Sequence, residues 1–187
     1  MKKITTPLSR EDARALRYGD NVLLSGTIYT ARDAAHARMT EALQLGEPLP
    51  FSIENAIIYY TGPTPVKPGR VIGSAGPTTS SRMDVYTPVL IKKGLTGMIG
   101  KGTRNLDVIW MMREQGAVYF GAVGGAGALL SRCIESSEVI AYEDLGTEAI
   151  HKLTIKELPL TVAIDSMGGD IFIQGTADYL LWKLHLL

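Results

Sequence analysis

Apolar residues recur along this chain with two different spacings, and the switches between them mark its elements. Asn21 to Tyr29 has the β-branched and apolar content of a strand. Ala34, Ala35, Met39, Ala42 and Leu43 then fall on one face of a helix that runs to Gly46. Ser9-Arg10-Glu11-Asp12 reads as a capping box for a short helix stopping at Gly19, and Thr30-Ala31-Arg32-Asp33 as a second one. Ala56 to Tyr60 is a strand, followed by a rigid, proline-rich connection from Thr61 to Pro68. A helix is expected from about Ser80 to Lys93, closed by Gly94. Next come a short buried strand at Thr96 to Ile99, a helix from Leu106 to Gln115 ended by Gly116, and a strand from Ala117 to Val123. Gly124 to Gly127 then turns the chain into a helix reaching about Ile134. Strand, Gly-rich turn and helix start thus recur, which predicts an α/β sandwich with several helix N-termini at one edge of a sheet. The tail reads differently: strands at Leu153–Leu158 and Leu160–Asp165, a turn at Met167–Asp170 into a meander or hairpin strand at Ile171–Ile173, and helical spacing from Thr176 to Leu187.

Composition narrows the function. The 187 residues fit a single domain, 1–187, with residues 170–187 as a candidate C-terminal extension. Lys+Arg and Asp+Glu both number 19 and no basic run occurs, which argues against a nucleic-acid surface. The longest uncharged apolar stretch, Ala117 to Leu130, is about 14 residues and interrupted by glycines, short of the ~18 that a membrane span needs. Met1 to Pro7 lacks the apolar core of a signal peptide, and a single cysteine gives no disulfide framework. A soluble, cytoplasmic chain is expected.

The most informative stretch is Gly73-Ser74-Ala75-Gly76-Pro77-Thr78-Thr79-Ser80-Ser81-Arg82-Met83-Asp84. Glycines permit a sharp turn, four consecutive hydroxyls sit where a helix start leaves amides unpaired, and Arg82 follows one turn on. The plain alternative is an N-cap with spare hydroxyls. Arg32 lies in the first turn of its helix, where the dipole disfavours a cation, so a bound anion, an acidic partner or solvent must account for it. Lys101 lies in a third Gly-rich turn. Arg32, Arg82 and Lys101 with Thr78 and Thr79 would suit a small dianion such as a dicarboxylate. The competing reading pairs each cation with a nearby acid, for instance Arg82 with Asp84 or Arg104 with Asp107. The glycines at 121, 124, 125 and 127 do not have dinucleotide-binding spacing and are better explained by close packing. His36, His151 and His185 show no metal or triad spacing, and Cys133 reads as a buried, inert helix residue.

Three motifs in order carry a resemblance. Gly26-Thr27-Ile28-Tyr29-Thr30-Ala31-Arg32-Asp33-Ala34-Ala35-His36, Gly76 to Asp84, and Gly100-Lys101-Gly102 resemble the β subunit of class I fumarase and L(+)-tartrate dehydratase, from about Pro7 to Gly169. The resemblance implies a swivelling β/β/α-type domain and reversible hydration of a four-carbon dicarboxylate. It implies a [4Fe–4S] cluster held by a partner α subunit; one cysteine here cannot supply the thiolates such a cluster needs. It assigns Thr78 as candidate catalytic base, and Arg32, Thr79, Arg82 and Lys101 to substrate binding, within a hetero-oligomer whose self-association is open. Fumarate and tartrate share the bound carboxylates, so both substrates stand at this point. So does a third reading, a non-catalytic organic-anion-binding partner subunit.

Overall fold

The computed structural model describes residues 1–184. Four parallel strands form its centre: β2 (Asn21–Thr30), β3 (Ile57–Tyr59), β4 (Gly97–Gly100) and β5 (Val118–Gly121). A fifth, β7 (Ile150–Ile164), lies antiparallel to β2 along most of its length and to β5 at its end. Its two pairings close the five strands into a ring, so the expected α/β arrangement holds but its sheet is barrel-like. β1 (Lys2–Thr5) adds to the edge of β2 and β6 (Ile134–Ala141) to β7.

Closure explains why β3 and β4 are buried throughout and β5 over its first three residues, since these strands are covered on both faces. Ile57 and Tyr59, Val118 and Phe120, Ile99, Leu153 and Val162 fill the ring's interior with Val22, Leu24 and Ile28. The alternate residues Ile58, Met98, Tyr119 and Ala163 face a second core. There they meet α2 (Asp33–Leu45), α3 (Thr87–Lys92) and α4 (Leu106–Gln115), through Ala35, Met39, Leu90, Ile91, Val108 and Met112.

Several elements keep their expected bounds. α4 begins at the Asn105 cap, whose side chain accepts the Val108 N–H (2.9 Å), and ends at left-handed Gly116. α1 (Arg10–Ala15) starts at the expected Ser9 cap but stops at Leu16, short of Gly19. Other expectations are corrected. Thr30 does not cap α2; its hydroxyl donates to Ala149 O (3.3 Å) and accepts the His151 N–H (2.9 Å), tying β2 to β7. Arg32 stands at the cap position without a side-chain cap bond.

The helix expected over Ser80–Lys93 is broken into a 3₁₀ turn at Ser80–Met83 and the short α3. Pro88 is the reason: inside a continuous helix it would lack an N–H to donate and would press on the Asp84 carbonyl, whereas near the start of α3 it is tolerated. The helix after Gly127 is likewise short (α5, Gly127–Leu130, then a 3₁₀ turn to Cys133), and the chain becomes β6 at Ile134. The two tail strands are one, β7, running through Pro159. No third tail strand follows among the described residues. The Asp165 carboxylate accepts the Met167 and Gly169 N–H groups to make the turn, and Asp170 accepts the Phe172 N–H (2.7 Å) to start helix α6 (Ile171–Leu184). Only the bridge Ile164–Asp170 remains of the expected hairpin. His185 and Leu186–Leu187 lie outside the described residues. No helix is long and apolar enough to cross a membrane among the described residues.

Candidate functional site

The parallel strands deliver their carboxyl ends to one end of the ring, and beyond those ends the strands separate. Past β3 the chain makes an excursion from Thr61 to Pro77 and returns between β3 and β4. Thr78 N–H donates to Tyr60 O (2.7 Å), Lys101 N–H to Thr78 O (3.2 Å) and Ser80 N–H to Lys101 O (2.9 Å). Thr79 and Lys101 thereby form a parallel bridge. Two bonds fix the excursion, Tyr59 OH to Ala75 O (2.6 Å) and Thr61 Oγ1 to Gly76 O (2.8 Å). Thr78 and Thr79 are therefore extended backbone wedged into the sheet's end, and only Ser80 onward is helical. This corrects the expectation of a helix start: the tertiary pairing of Tyr60 and Lys101 claims the backbone groups a helix would have used.

Behind this segment lies a buried polar cluster. Arg104, fully buried, donates to Asp84 (2.7 Å) and Thr87 Oγ1 (2.9 Å) and lies over the Tyr60 and Tyr119 rings, 5.3 and 5.1 Å from their centroids. Asp84 also accepts the Asn105 N–H (2.7 Å), and Tyr119 OH pairs with Ser80 Oγ (2.9 Å) and Gly102 O (2.9 Å). Burial pushes the Tyr119 phenol well above its ordinary pKa, so it stays neutral. The turn bearing Arg82 is thus fastened at Ser80 and Asp84. Space is tight: a methyl at Gly100 would stand 2.0 Å from Ser80 Oγ and 3.0 Å from the Tyr60 ring.

The five expected site residues gather at this end of the ring. Arg32 follows β2, Lys101 follows β4, and Thr78, Thr79 and Arg82 come from the inserted segment. Arg82 reaches the start of α2 and donates to Asp33 through Nε (2.8 Å) and Nη2. Arg32 pairs with Glu148 (3.2 Å), and the other Glu148 oxygen accepts the Ala34 N–H (3.0 Å). So the cation at the helix start has an acidic partner, and the acids that pair Arg82 and Arg104 are Asp33 and Asp84, not the sequence neighbours Asp84 and Asp107. Lys101 is exposed and has no ion pair among the described residues, where the Thr78 and Thr79 hydroxyls likewise make no hydrogen bond. Two hydroxyls and an ammonium without partners among the described residues, with the largely buried Arg32 and half-exposed Arg82 guanidiniums, make a net-positive surface fit for a carboxylate pair.

His36 lies one turn below Arg32, fully buried. Its Nδ1 contacts Arg32 O (2.8 Å), which can only accept, so Nδ1 carries the proton. Burial depresses its pKa to about 4 and keeps it neutral. Cys133 is half-buried in a 3₁₀ turn, not within an apolar helix, and burial raises its thiol pKa. Among the described residues no three His, Cys, Asp or Glu side chains converge on a metal position. The donor set does not fit a four-iron cluster. Asp33, Asp84, Glu148, Ser80 and Tyr119 were not singled out from sequence as site supports. Asp33 adjoins Arg32 in its motif, but nothing local signals Glu148, more than a hundred residues away.

Residues 2–175 match the family model described as Fumarase C-terminus. Over 176 residues the chain is 38% identical to "Fumarate hydratase class I, aerobic" of Escherichia coli K12, covering 93% of this chain and 31% of that one. It is 36% identical over 161 residues to "Fumarate hydratase 2" of Leishmania major, covering 85% and 28%. With "Putative L(+)-tartrate dehydratase subunit beta" of Methanocaldococcus jannaschii it shares 37% identity over 171 residues, 88% of each chain. The chain belongs to the fumarase C-terminus family. It spans about a third of the length of the fumarate hydratases it matches.

Proposed function

We propose that this chain is the β subunit of an iron–sulfur hydro-lyase that hydrates fumarate reversibly to malate, and that it supplies the dicarboxylate-binding and proton-transferring half of a shared site. The observation that carries the reading is the insertion of Thr78–Ser80 between Tyr60 and Lys101, which sets Thr78, Thr79, Arg82 and Lys101 beside the Arg32-bearing start of α2. Arg32 holds one substrate carboxylate; Arg82, Thr79 and Lys101 hold the other. Fixing both ends of a rigid four-carbon acid presents its central carbons to Thr78 Oγ, which carries the proton exchanged at carbon. A Thr hydroxyl is a weak base on its own, and the surrounding cations make its deprotonation less costly. The cluster implied by the resemblance belongs to the partner α subunit, whose counterpart is the remaining two-thirds of the longer relatives, and no step performed by this chain passes through it. The closed ring with helices along one side supports a swivelling β/β/α-type domain that moves onto that partner as one body.

L(+)-tartrate dehydration is the second reading, favoured by the relative of matching length. Anaerobic purification of the chain with its partner, followed by assays with fumarate, malate and tartrate, decides between them. Faster turnover of fumarate supports the reading, and faster turnover of tartrate replaces it with the second. A partnerless chain that binds these acids without turnover leaves only an anion-binding subunit.

A further inference from the structure

The Arg32 side chain lies in a slot with two built walls. One is Gly62, just past β3: a methyl added there would stand 2.8 Å from Arg32 Nη1, 3.1 Å from its Cδ and 2.9 Å from Thr147 O. The other is Thr147–Glu148. Glu148 binds Arg32 Nη2 (3.2 Å) with one oxygen and the Ala34 N–H (3.0 Å) with the other, so a single carboxylate ties the guanidinium to the helix start. The ion pair and the Gly62 wall together confine the guanidinium.

The segment carrying Glu148 is anchored on both sides. Upstream, Arg38 Nη1 binds Asp144 (2.8 Å); downstream, Ala149 O and the His151 N–H both bond the Thr30 hydroxyl on β2. Between them the chain passes through Gly146 in a left-handed conformation (φ 59°, ψ −115°), which brings Glu148 back toward α2. The Glu148 carboxylate is thus held by the helix start as well as by the guanidinium.

We propose that Gly62 and Glu148 are positioning residues that aim Arg32 at a substrate carboxylate. This rests on the reading that Arg32 binds substrate. Neither residue touches the substrate; both act through Arg32.

The test is a double-mutant cycle on the enzyme assembled with its partner, using Glu148→Gln, Gly62→Ala and Arg32→Ala singly and combined, with fumarate kinetics and melting temperature recorded. Glu148→Gln and Gly62→Ala are each expected to raise KM about tenfold, with kcat changed less than about twofold. In the Arg32→Ala background each should add less than about twofold, because the group it positions is gone. Two outcomes overturn the inference alone: Arg32→Ala raises KM while neither positioning variant does, or the variants multiply with Arg32→Ala, as a purely structural weakening would. If Arg32→Ala leaves KM unchanged, the inference and the substrate-binding reading fall together. Glu148→Gln is nearly isosteric, so it keeps the test decisive if Gly62→Ala lowers the melting temperature.

Discussion

Arg82 meets Asp33 through Nε and Nη2, and its Nη1 makes no hydrogen bond among the described residues. On the proposed function, Arg82→Ala removes a charge-assisted contact with a substrate carboxylate, worth on the order of 2–3 kcal/mol, so kcat/KM for fumarate should fall roughly a hundredfold. Arg82→Lys keeps the charge but not the fork and should recover only part of that loss; full recovery would show that geometry is irrelevant there. Thr78 is a different kind of residue. Thr78→Ala should lower kcat by about 10²–10⁴ with KM nearly unchanged, and Thr78→Ser should restore most of the rate. A Thr78→Ala enzyme with normal kcat and weakened binding would reassign Thr78 to substrate grip. These residues were legible in the sequence because Gly-rich and hydroxyl-rich runs are local signals. Their acidic partners were not, since Asp33–Arg82 and Glu148–Arg32 are contacts between distant segments.

At the level of elements, the site depends on one short turn, Ser80–Met83, held by a buried ion pair. Asp84 and Arg104 are nearly or wholly inaccessible, so Asp84→Ala strands a buried guanidinium and should cost about 3–5 kcal/mol. Differential scanning calorimetry should show a melting temperature lowered by roughly 10 °C. A change under about 2 °C would mean that Arg104 finds other partners, and the network would not be what fastens the turn. The bounds of α4 were legible because both of its ends are written locally, in Asn105 and Gly116. Local pattern misleads between Ser80 and Lys93, where Pro88 competes with the helical period, and at β6, whose pairing with β7 is long-range. Thr30 shows the same limit: its hydroxyl suits a helix cap, but the neighbouring β7 claims it.

Across the whole molecule, ring closure was the least legible feature. The run Thr96–Ile99 predicts a short buried strand, but only the double pairing of β7 with β2 and β5 turns a sheet into a barrel. The packed helix layer also buries His36 in neutral form. Its folded pKa of about 4 lies below the ordinary 6.5, so the unfolded chain binds the extra proton as pH falls. The stability from keeping it neutral is fully present above about pH 6.5 and is lost as pH falls toward 4. A pKa difference of one between folded and unfolded chain corresponds to about 1.4 kcal/mol, so the loss is on the order of 3 kcal/mol. Urea unfolding between pH 7 and 4.5 should show a steeper decline for the natural chain than for His36→Gln. Parallel declines would remove His36 from the account.

The central claim, that this chain contributes one half of a shared dicarboxylate site, is tested most directly by anaerobic reconstitution. The purified chain is titrated into its separately purified partner while fumarate hydration is followed. Neither chain alone should turn over fumarate, and activity should rise with added chain and saturate at a fixed ratio. Full activity of the partner by itself would contradict the claim and leave Thr78, Arg32, Arg82 and Lys101 without a part in the chemistry.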